Sequence, residues 1–126
     1  MTTRRQGRGP VVMPRTYLHG CLLLLIAEAP AHGYELVERL AELGLATVDS
    51  AAVYRALRTL DEEGLLESWW EESYSGPVRR RYQISDLGIR TLENSAADIG
   101  DSAFCFNSFL ARHSQLRQSQ PLAASG

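Results

Sequence analysis

The chain has 126 residues, 44% of them hydrophobic, which is enough for one compact domain with an ordinary core and makes a second domain unexpected. Its formal net charge of -2 argues against a protein that coats nucleic acid without regard to sequence, because such proteins are usually basic. Any contact with nucleic acid therefore depends on a local basic surface.

The chain carries none of the sequence signatures of a metalloprotein, an enzyme or a membrane protein. Cys21 and Cys105 lie far apart inside apolar stretches, which indicates reduced thiols in a cytoplasmic protein rather than a disulfide framework. The sequence has no paired zinc-ligand spacing, glycine-rich phosphate loop or nucleophile elbow, and no apolar run approaches the roughly 20 residues of a membrane span. It therefore predicts no metal, no cofactor, no catalytic residues and no membrane partner.

The first predicted elements are an arm and a helix. Residues 1–14 carry arginine, glycine and proline without a hydrophobic period, and we expect a flexible basic arm there. A helix follows from about Arg15 to Ala29, because apolar residues recur at the spacing of one buried face, and Pro30 stops it. The apolar positions are Leu18, Cys21, Leu22, Leu25 and Ala29.

A second helix is predicted over residues 33–43. Gly44 follows it and can adopt the left-handed conformation of a helix C-cap. The outward face of this helix is charged. Its inward residues are predicted to be Leu36, Val37 and Leu40.

A third helix begins at Asp49 or Ser50, either of which can cap it, and ends at Gly64. The side opposite its apolar face carries an exposed arginine pair, Arg55 and Arg58. Such a pair is typical of a helix that reads DNA, and it also occurs on ordinary solvated faces. The core-facing residues are predicted to be Val53, Leu57 and Leu60.

Two short extended segments, 65–72 and 79–85, flank a turn rich in serine, glycine and proline and predict a β-hairpin. Strand alternation places Arg80 on one face with Tyr82 and Ile84, and its two arginine neighbours on the other.

Trp69 and Trp70 are adjacent on the first hairpin strand and therefore point to opposite faces. We expect one of them in the core. The other is expected to cover the C-terminal helix or to face an effector pocket.

Three helices followed by a hairpin form the layout of a winged helix, in which the third helix enters the major groove of DNA and the hairpin lies beside the backbone. We therefore predict a mainly α fold with a small β-hairpin, and a winged-helix DNA-binding domain over residues 15–85. The predicted DNA-binding residues are Ser50, Tyr54, Arg55, Arg58, Arg79, Arg80 and Arg81.

These residues are expected to act in different ways. The hydroxyls of Ser50 and Tyr54 would bond phosphates, and Arg55 and Arg58 would read base edges, because a guanidinium can donate two hydrogen bonds to guanine. The wing arginines would hold the backbone or the minor groove. In the alternative interpretation, those arginines form cross-strand ion pairs on a solvated hairpin with Glu67, Glu71 and Glu72.

The most regular hydrophobic pattern lies in a C-terminal helix predicted over residues 86–117, before a disordered tail at 118–126. Its apolar residues alternate at intervals of four and three, a heptad seam that packs helix against helix. The simplest partner is the same helix in a second copy, because most oligomers are symmetric homodimers. The alternative is a helix that folds back on its own domain. The predicted dimerisation residues are Leu92, Ala96, Ile99, Ala103, Phe106 and Leu110.

Five short motifs follow one another in a specific order and spacing. They are LLLL at 22–25, HGYEL at 32–36, VYRALRTL at 53–60, EGLL at 63–66, and RRYQIS at 80–85 followed by Gly88. Over about residues 17–92 the chain thereby resembles the PadR-like transcriptional regulators.

The resemblance implies a winged-helix domain with one C-terminal dimerisation helix, acting as a homodimer on a pseudo-palindromic operator in double-stranded DNA near a promoter. It implies a transcriptional regulator, and we expect a repressor. Members of the family often release DNA when a small aromatic or drug-like molecule binds near the dimer interface. A small-molecule effector is therefore an expected partner, and no residue is assigned to it.

Two features depart from the family pattern. Ala51 and Ala52 stand where the family often has a glycine and a hydroxyl residue, which removes a phosphate donor. The C-terminal helix lacks tryptophan, so an effector site built on that residue does not carry over. Its phenylalanines, Phe104, Phe106 and Phe109, are interpreted as interface core, with the lining of a pocket as the alternative. Two alternative functions stay open: a winged-helix module that binds protein instead of an operator, and an enzyme without a recognised motif.

Overall fold

The structure is a computed structural model that describes residues 14–73 and 76–119. Nearly all of the predicted arm at 1–14, and most of the predicted tail at 118–126, lie outside the described residues. The described chain forms two compact units. One comprises 14–73 and 76–96, and the other comprises 97–119.

The first unit contains three helices before a β-hairpin, and a fourth helix begins after the hairpin. The helices are α1 (Pro14–Glu28), α2 (Gly33–Arg39), α3 (Ser50–Glu62) and α4 (Asp86–Ser119), with a 3₁₀ helix at Leu40–Leu43. The strands are β1 (Ala31–His32), β2 (Leu66–Ser73) and β3 (Gly76–Ile84). The predicted winged-helix layout is confirmed, and α4 is the predicted long C-terminal helix.

The helix ends follow the chemistry of glycine. Gly44 and Gly64 have φ angles of 84° and 80°, in the left-handed region that glycine enters without steric cost, and both end helical segments as predicted. The last turn predicted for the second helix is 3₁₀ instead of α-helical. There the hydroxyl of Tyr17 on α1 donates to the Leu43 carbonyl at 2.8 Å.

The core lies where the three short helices meet the sheet. Residues Val53, Leu57 and Leu60 of α3 are fully buried, as their spacing predicts. On α1 the burial is broader than one face, because Leu23 and Ile26 are buried as well. The predicted inward Ala29 is exposed, since α1 ends before it. Burial of each of these leucine side chains stabilises the fold by about 1.5–3 kcal/mol relative to an exposed side chain.

The sheet is antiparallel and has three strands in the order β1–β3–β2, so the predicted hairpin is joined by a third strand. Ala31 pairs with Tyr82, and His32 pairs with Arg81. The sequence did not predict β1, because two residues are too few to show strand alternation. This strand ties the start of α2 to the wing.

The junction between the hairpin and α4 is closed by hydrogen bonds. The Ser85 hydroxyl donates to the Gly64 carbonyl at 2.6 Å and accepts from the Gly88 amide at 3.0 Å, which caps the helix. Leu92 packs against the core, and the first unit extends through Ala96. The first turns of α4 therefore belong to the winged-helix unit.

Candidate nucleic-acid interface

Helix α3 is the element predicted to enter the major groove, and its two sides have opposite character. Its apolar side is buried against α1, α2 and the sheet. Its other side carries Arg55 and Arg58, both exposed. Residues three apart lie about 60° from each other around a helix, so the two guanidinium groups belong to one face.

The described residues give neither of these arginines an acidic partner. Within residues 14–73 and 76–119, Arg55 and Arg58 form no ion pair and their guanidinium groups donate no hydrogen bond. A guanidinium group needs hydrogen-bond acceptors in a planar arrangement, which a guanine edge or a phosphate provides. These two side chains are therefore available to a ligand that approaches α3.

Tyr54 stands between the core and this exposed face. Its side chain is 46% exposed, and its ring packs on the backbone of Gly33, the first residue of α2. A Cβ atom added to Gly33 would lie 2.4 Å from Tyr54 Cε1. The ring is thus a packing element between two helices.

The beginning of α3 carries a carboxylate. Asp49 is the N-cap, and its Oδ1 accepts from the Ala51 amide at 3.4 Å. Of the two caps that the sequence allowed, the structure selects Asp49. Its negative charge offsets the partial positive charge of the helix terminus, next to the exposed Ser50 predicted to meet phosphate.

The three wing arginines occupy two faces of β3, as alternation predicted. Arg79 donates to the Tyr34 hydroxyl at 3.1 Å and lies 4.9 Å from the centre of that ring. Arg81 donates to the Pro30 carbonyl at 3.3 Å and forms an ion pair with Glu71 at 3.5 Å.

Arg80, on the other face, is held by α3 and β2. It forms an ion pair with Asp61 at 3.2 Å, donates to the Ser68 hydroxyl at 3.1 Å and stacks over Trp70 at 5.1 Å. The Ser68 hydroxyl donates to Asp61 at 2.6 Å. This Asp61–Ser68–Arg80 cluster joins the C-terminal half of α3 to both wing strands.

The predicted cross-strand ion pairs are present in part. Of the glutamates proposed as partners, Glu71 pairs with a wing arginine in the described structure, whereas Arg80 takes its partner from α3. Neither tryptophan is in the buried core: Trp69 is 39% exposed and Trp70 63%, so the expectation that one is core is wrong. Both lie on β2, which pairs only with β3 in the part of the chain that the structure describes.

His32 links α2 to the wing. Its Nε2 lies 2.9 Å from a Glu71 carboxylate oxygen and its Nδ1 lies 3.2 Å from Glu35, while the His32 amide donates to Glu35 at 2.7 Å. The backbone hydrogen bond from His32 is the main cause that lowers the pKa of Glu35. The sequence predicts Glu35 on the outward face of this helix but does not predict its contact with His32.

A cleft with a volume of about 440 Å³ lies between α3 and the wing. Burial raises the pKa of the Tyr82 hydroxyl, which lines this cleft. The cleft opens beside the arginine face of α3. Its lining residues are Tyr54, Arg58, Asp61, Glu62, Trp70, Arg80 and Tyr82.

Beyond Ala96, the remainder of α4 presents large apolar side chains. Phe106 and Leu110 of the predicted seam are 52% and 59% exposed, and Ile99 is partly buried. Phe104 and Phe109, which lie off the seam, are exposed as well. Leu92, by contrast, packs on the winged-helix core.

Metal clusters and membrane-spanning helices are lacking in the described residues. The part of the chain that the structure describes contains no cluster of His, Cys, Asp and Glu side chains that could hold a metal ion. Among its helices, none is long and apolar enough to cross a bilayer. Cys21 and Cys105 are free thiols.

Comparisons with known proteins agree with this architecture. The family model described as "Transcriptional regulator PadR-like family" matches residues 22–94. A PadR-like transcriptional regulator from Bacillus cereus is 32% identical, with a TM-score of 0.65, over 74% of this chain and 90% of its own. No curated protein matches the chain.

Two further crystal structures are similar. A PadR family transcriptional regulator from Eggerthella lenta is 31% identical, with a TM-score of 0.66, over 76% of this chain and 83% of its own. A PadR-like transcription factor from Bacteroides fragilis is 26% identical, with a TM-score of 0.64, over 86% of this chain and 99% of its own. The family match, the identities and the shared winged-helix fold show that this chain belongs to the PadR-like family of transcriptional regulators.

Proposed function

We propose that this DNA-binding regulator is a homodimeric repressor that reads a pseudo-palindromic operator with α3 of each protomer. The observation that carries the proposal is the arginine face of α3. Arg55 and Arg58 are exposed on one helix face, and within the described residues neither has an ionic partner. Their position opposite the buried side of α3 leaves both guanidinium groups free to meet a ligand that approaches this helix.

Arg55 and Arg58 are proposed to contact base edges. Each guanidinium can donate two hydrogen bonds to the O6 and N7 atoms of guanine, a contact that distinguishes the correct base by about 1–3 kcal/mol. Tyr54 is proposed to offer its hydroxyl to a phosphate while its ring stays packed on Gly33. Ser50 is proposed to do the same at the start of the helix, where the Asp49 carboxylate makes its contribution small.

The wing is proposed to hold the DNA backbone without reading sequence. Arg79 is the strongest candidate, because its described partner is the neutral Tyr34. Arg80 and Arg81 are neutralised in part by Asp61 and Glu71, and a phosphate would have to compete with those carboxylates. We therefore rank these two below Arg79 as phosphate contacts.

The dimer is proposed to form through the C-terminal part of α4. The seam residues Ile99, Ala103, Phe106 and Leu110 repeat at heptad spacing, and two of them are large apolar side chains that are half exposed. A second copy would cover them, and a two-fold axis would present two α3 helices to two half-sites. Repression would follow from occupation of an operator near a promoter. Release by a small aromatic or drug-like effector is part of the same proposal.

Selection of bound sequences from a random pool of DNA duplexes tests this function, because such a pool requires no choice of operator sequence. The proposal predicts an enriched inverted repeat with guanines in each half-site, and the centres of the two half-sites should lie about one helical turn of the duplex, or a multiple of it, apart. A pool that stays unenriched after repeated selection, with protein that is folded, would contradict it. An enriched single site without symmetry would contradict the dimer alone.

A further inference from the structure

The Asp61–Ser68–Arg80 cluster holds an arginine of the wing on a carboxylate of α3. Arg80 Nη2 donates to Asp61 Oδ2 at 3.2 Å, and Arg80 Nε donates to the Ser68 hydroxyl at 3.1 Å. The Ser68 hydroxyl donates to the same Asp61 oxygen at 2.6 Å. The guanidinium group also lies 5.1 Å from the centre of the Trp70 ring. Arg80 is therefore directed toward α3 by several contacts at once.

This ion pair lies in the cleft between α3 and the wing, where it is accessible to DNA. The Arg80 side chain is 39% exposed and that of Asp61 is 27% exposed. Tyr54, Arg58 and Asp61 follow one another along α3 at intervals of four and three residues, so they share one face of the helix. All three line the cleft. Asp61 thus lies at the C-terminal end of the face that is proposed to meet DNA.

We propose that Asp61 is a specificity-determining residue that keeps Arg80 away from the phosphates of DNA. A cation that contacts a phosphate raises the affinity for every duplex and carries no information on sequence. The Asp61 carboxylate offsets the charge of Arg80 and repels a phosphate that enters the cleft. Asp61 acts through Arg80 and is therefore a positioning residue, whose effect is weaker binding to DNA of random sequence.

The same cluster also supports the operator complex, and this part of the inference rests on the proposed function. Asp61 ties α3 to β2 through Ser68 and to β3 through Arg80. Base edges and phosphates have a fixed geometry in a duplex, so base readout requires one arrangement of α3 and the wing. Random DNA requires no such arrangement. Loss of the tie should therefore weaken the operator complex and leave contacts with random DNA intact.

Asp61→Asn tests the proposal, because it removes the charge and keeps the shape of the side chain. The full chain is titrated by fluorescence anisotropy against a duplex of random sequence at several salt concentrations. Asp61→Asn should bind this duplex more tightly at low salt, and the slope of log affinity against log salt should steepen by about 0.9 for each phosphate gained. Its advantage over the original chain should therefore shrink about threefold between about 50 and 200 mM salt.

Glu62→Gln is the matched control. Glu62 lines the same cleft and forms no ion pair within the described residues, so its substitution removes one negative charge without releasing an arginine. The salt slope of this variant should equal that of the original chain. An equal steepening in Glu62→Gln and Asp61→Asn would assign the effect to net charge alone and would overturn the proposal.

Arg80→Gln completes the test and does not depend on the folding of Asp61→Asn. In the original chain Asp61 holds Arg80, so Arg80→Gln alone should leave the salt slope on random DNA unchanged. In the Asp61→Asn background it should remove the added slope. Urea denaturation of each variant verifies that the proteins compared are folded. A shallower slope in Arg80→Gln alone would show that Arg80 already contacts phosphate and would overturn the proposal.

The selected operator separates this inference from the proposed function. The preference of Asp61→Asn for the operator over random DNA should fall about threefold or more, and an unchanged preference would overturn the specificity claim. If the original chain prefers an operator but the slope of Asp61→Asn on random DNA does not change, this inference alone is wrong. If the slope steepens and no operator emerges from selection, the control of Arg80 by Asp61 stands and the operator proposal fails. If neither protein binds any duplex at low salt, both are wrong.

Discussion

Gly33 lies directly beneath the ring of Tyr54, and a Cβ atom at Gly33 would stand only 2.4 Å from Tyr54 Cε1. Real Cβ atoms do not approach another carbon this closely, so any larger residue at position 33 would force the Tyr54 ring to move. Gly33 and Tyr54 therefore form one packing contact between α2 and α3, although they lie in different sequence motifs.

Gly33→Ala should therefore displace Tyr54 and lower the free energy of unfolding by about 1–3 kcal/mol, the usual cost of overpacking. Urea denaturation measures this change in the free energy of unfolding. In a Tyr54→Ala background the clash is absent, and the same change should become neutral or stabilising, because alanine restricts the unfolded chain more than glycine does. An equal cost in both backgrounds would mean that the ring is not the obstacle.

Two glycines of α4, Gly88 and Gly100, differ in the space around them. A Cβ atom on Gly88 would meet the Leu65 carbonyl oxygen at 2.1 Å, whereas within the described chain nothing lies within 4 Å of one on Gly100. Gly88→Ala should lower the thermal unfolding midpoint, because a backbone atom must move. Gly100→Ala should raise stability by about 1 kcal/mol through helix propensity. Both should be measured at one protein concentration. Loss of stability in both would show that Gly100 is also closely packed.

Ile99→Asp should weaken the proposed dimer, since it places a charge in an apolar contact between helices. Sedimentation equilibrium should show monomer at concentrations where the original chain is dimeric. Ser108→Asp adds the same charge to an exposed position away from the seam and is the matched control. If both variants sediment like the original chain, α4 does not pair along this seam.

Stability should decrease with acidification because of His19. Burial, and then Arg15, lower the pKa of His19 in the folded chain below its ordinary value of about 6.5. As the pH falls from neutrality, the unfolded chain binds the proton first, so the free energy of unfolding declines until the pH passes the folded pKa. His19→Gln should reduce that decline, measured by urea denaturation at several pH values. If the unfolding free energies of His19→Gln and the original chain changed in parallel with pH, the lowered pKa of His19 would be contradicted.

The elements that the sequence predicted well are those governed by local chemistry. The spacing of Val53, Leu57 and Leu60 located the buried side of α3, and left-handed Gly44 and Gly64 end helical segments as glycine chemistry requires. The arginine pair followed from the same periodicity, because whatever is not on the buried face of a short helix is exposed. These inferences need only one helix at a time.

The features that escaped prediction join residues far apart in the chain. The Asp61–Ser68–Arg80 cluster draws on one helix and two strands, and the periodicity of each element carries no information on their crossing. Burial of the tryptophans was misjudged for the same reason. Adjacent residues on a strand must face opposite ways, but whether either face is covered depends on the neighbouring elements, and both Trp69 and Trp70 are left exposed.

The central claim is that α3 reads DNA through Arg55 and Arg58, and fluorescence anisotropy tests it most directly. Two duplexes, the DNA upstream of the gene and a shuffled sequence, would be titrated at low and physiological salt. The proteins compared are the original chain, Arg55→Ala, Arg58→Ala and the control Arg90→Ala. We expect the original chain and the control to bind the upstream DNA more tightly than the shuffled duplex. Each α3 variant should lose about 1–3 kcal/mol of binding free energy for the upstream DNA and much of the preference for it. Equal binding of the original chain to both duplexes, or α3 variants indistinguishable from the control, would contradict the claim.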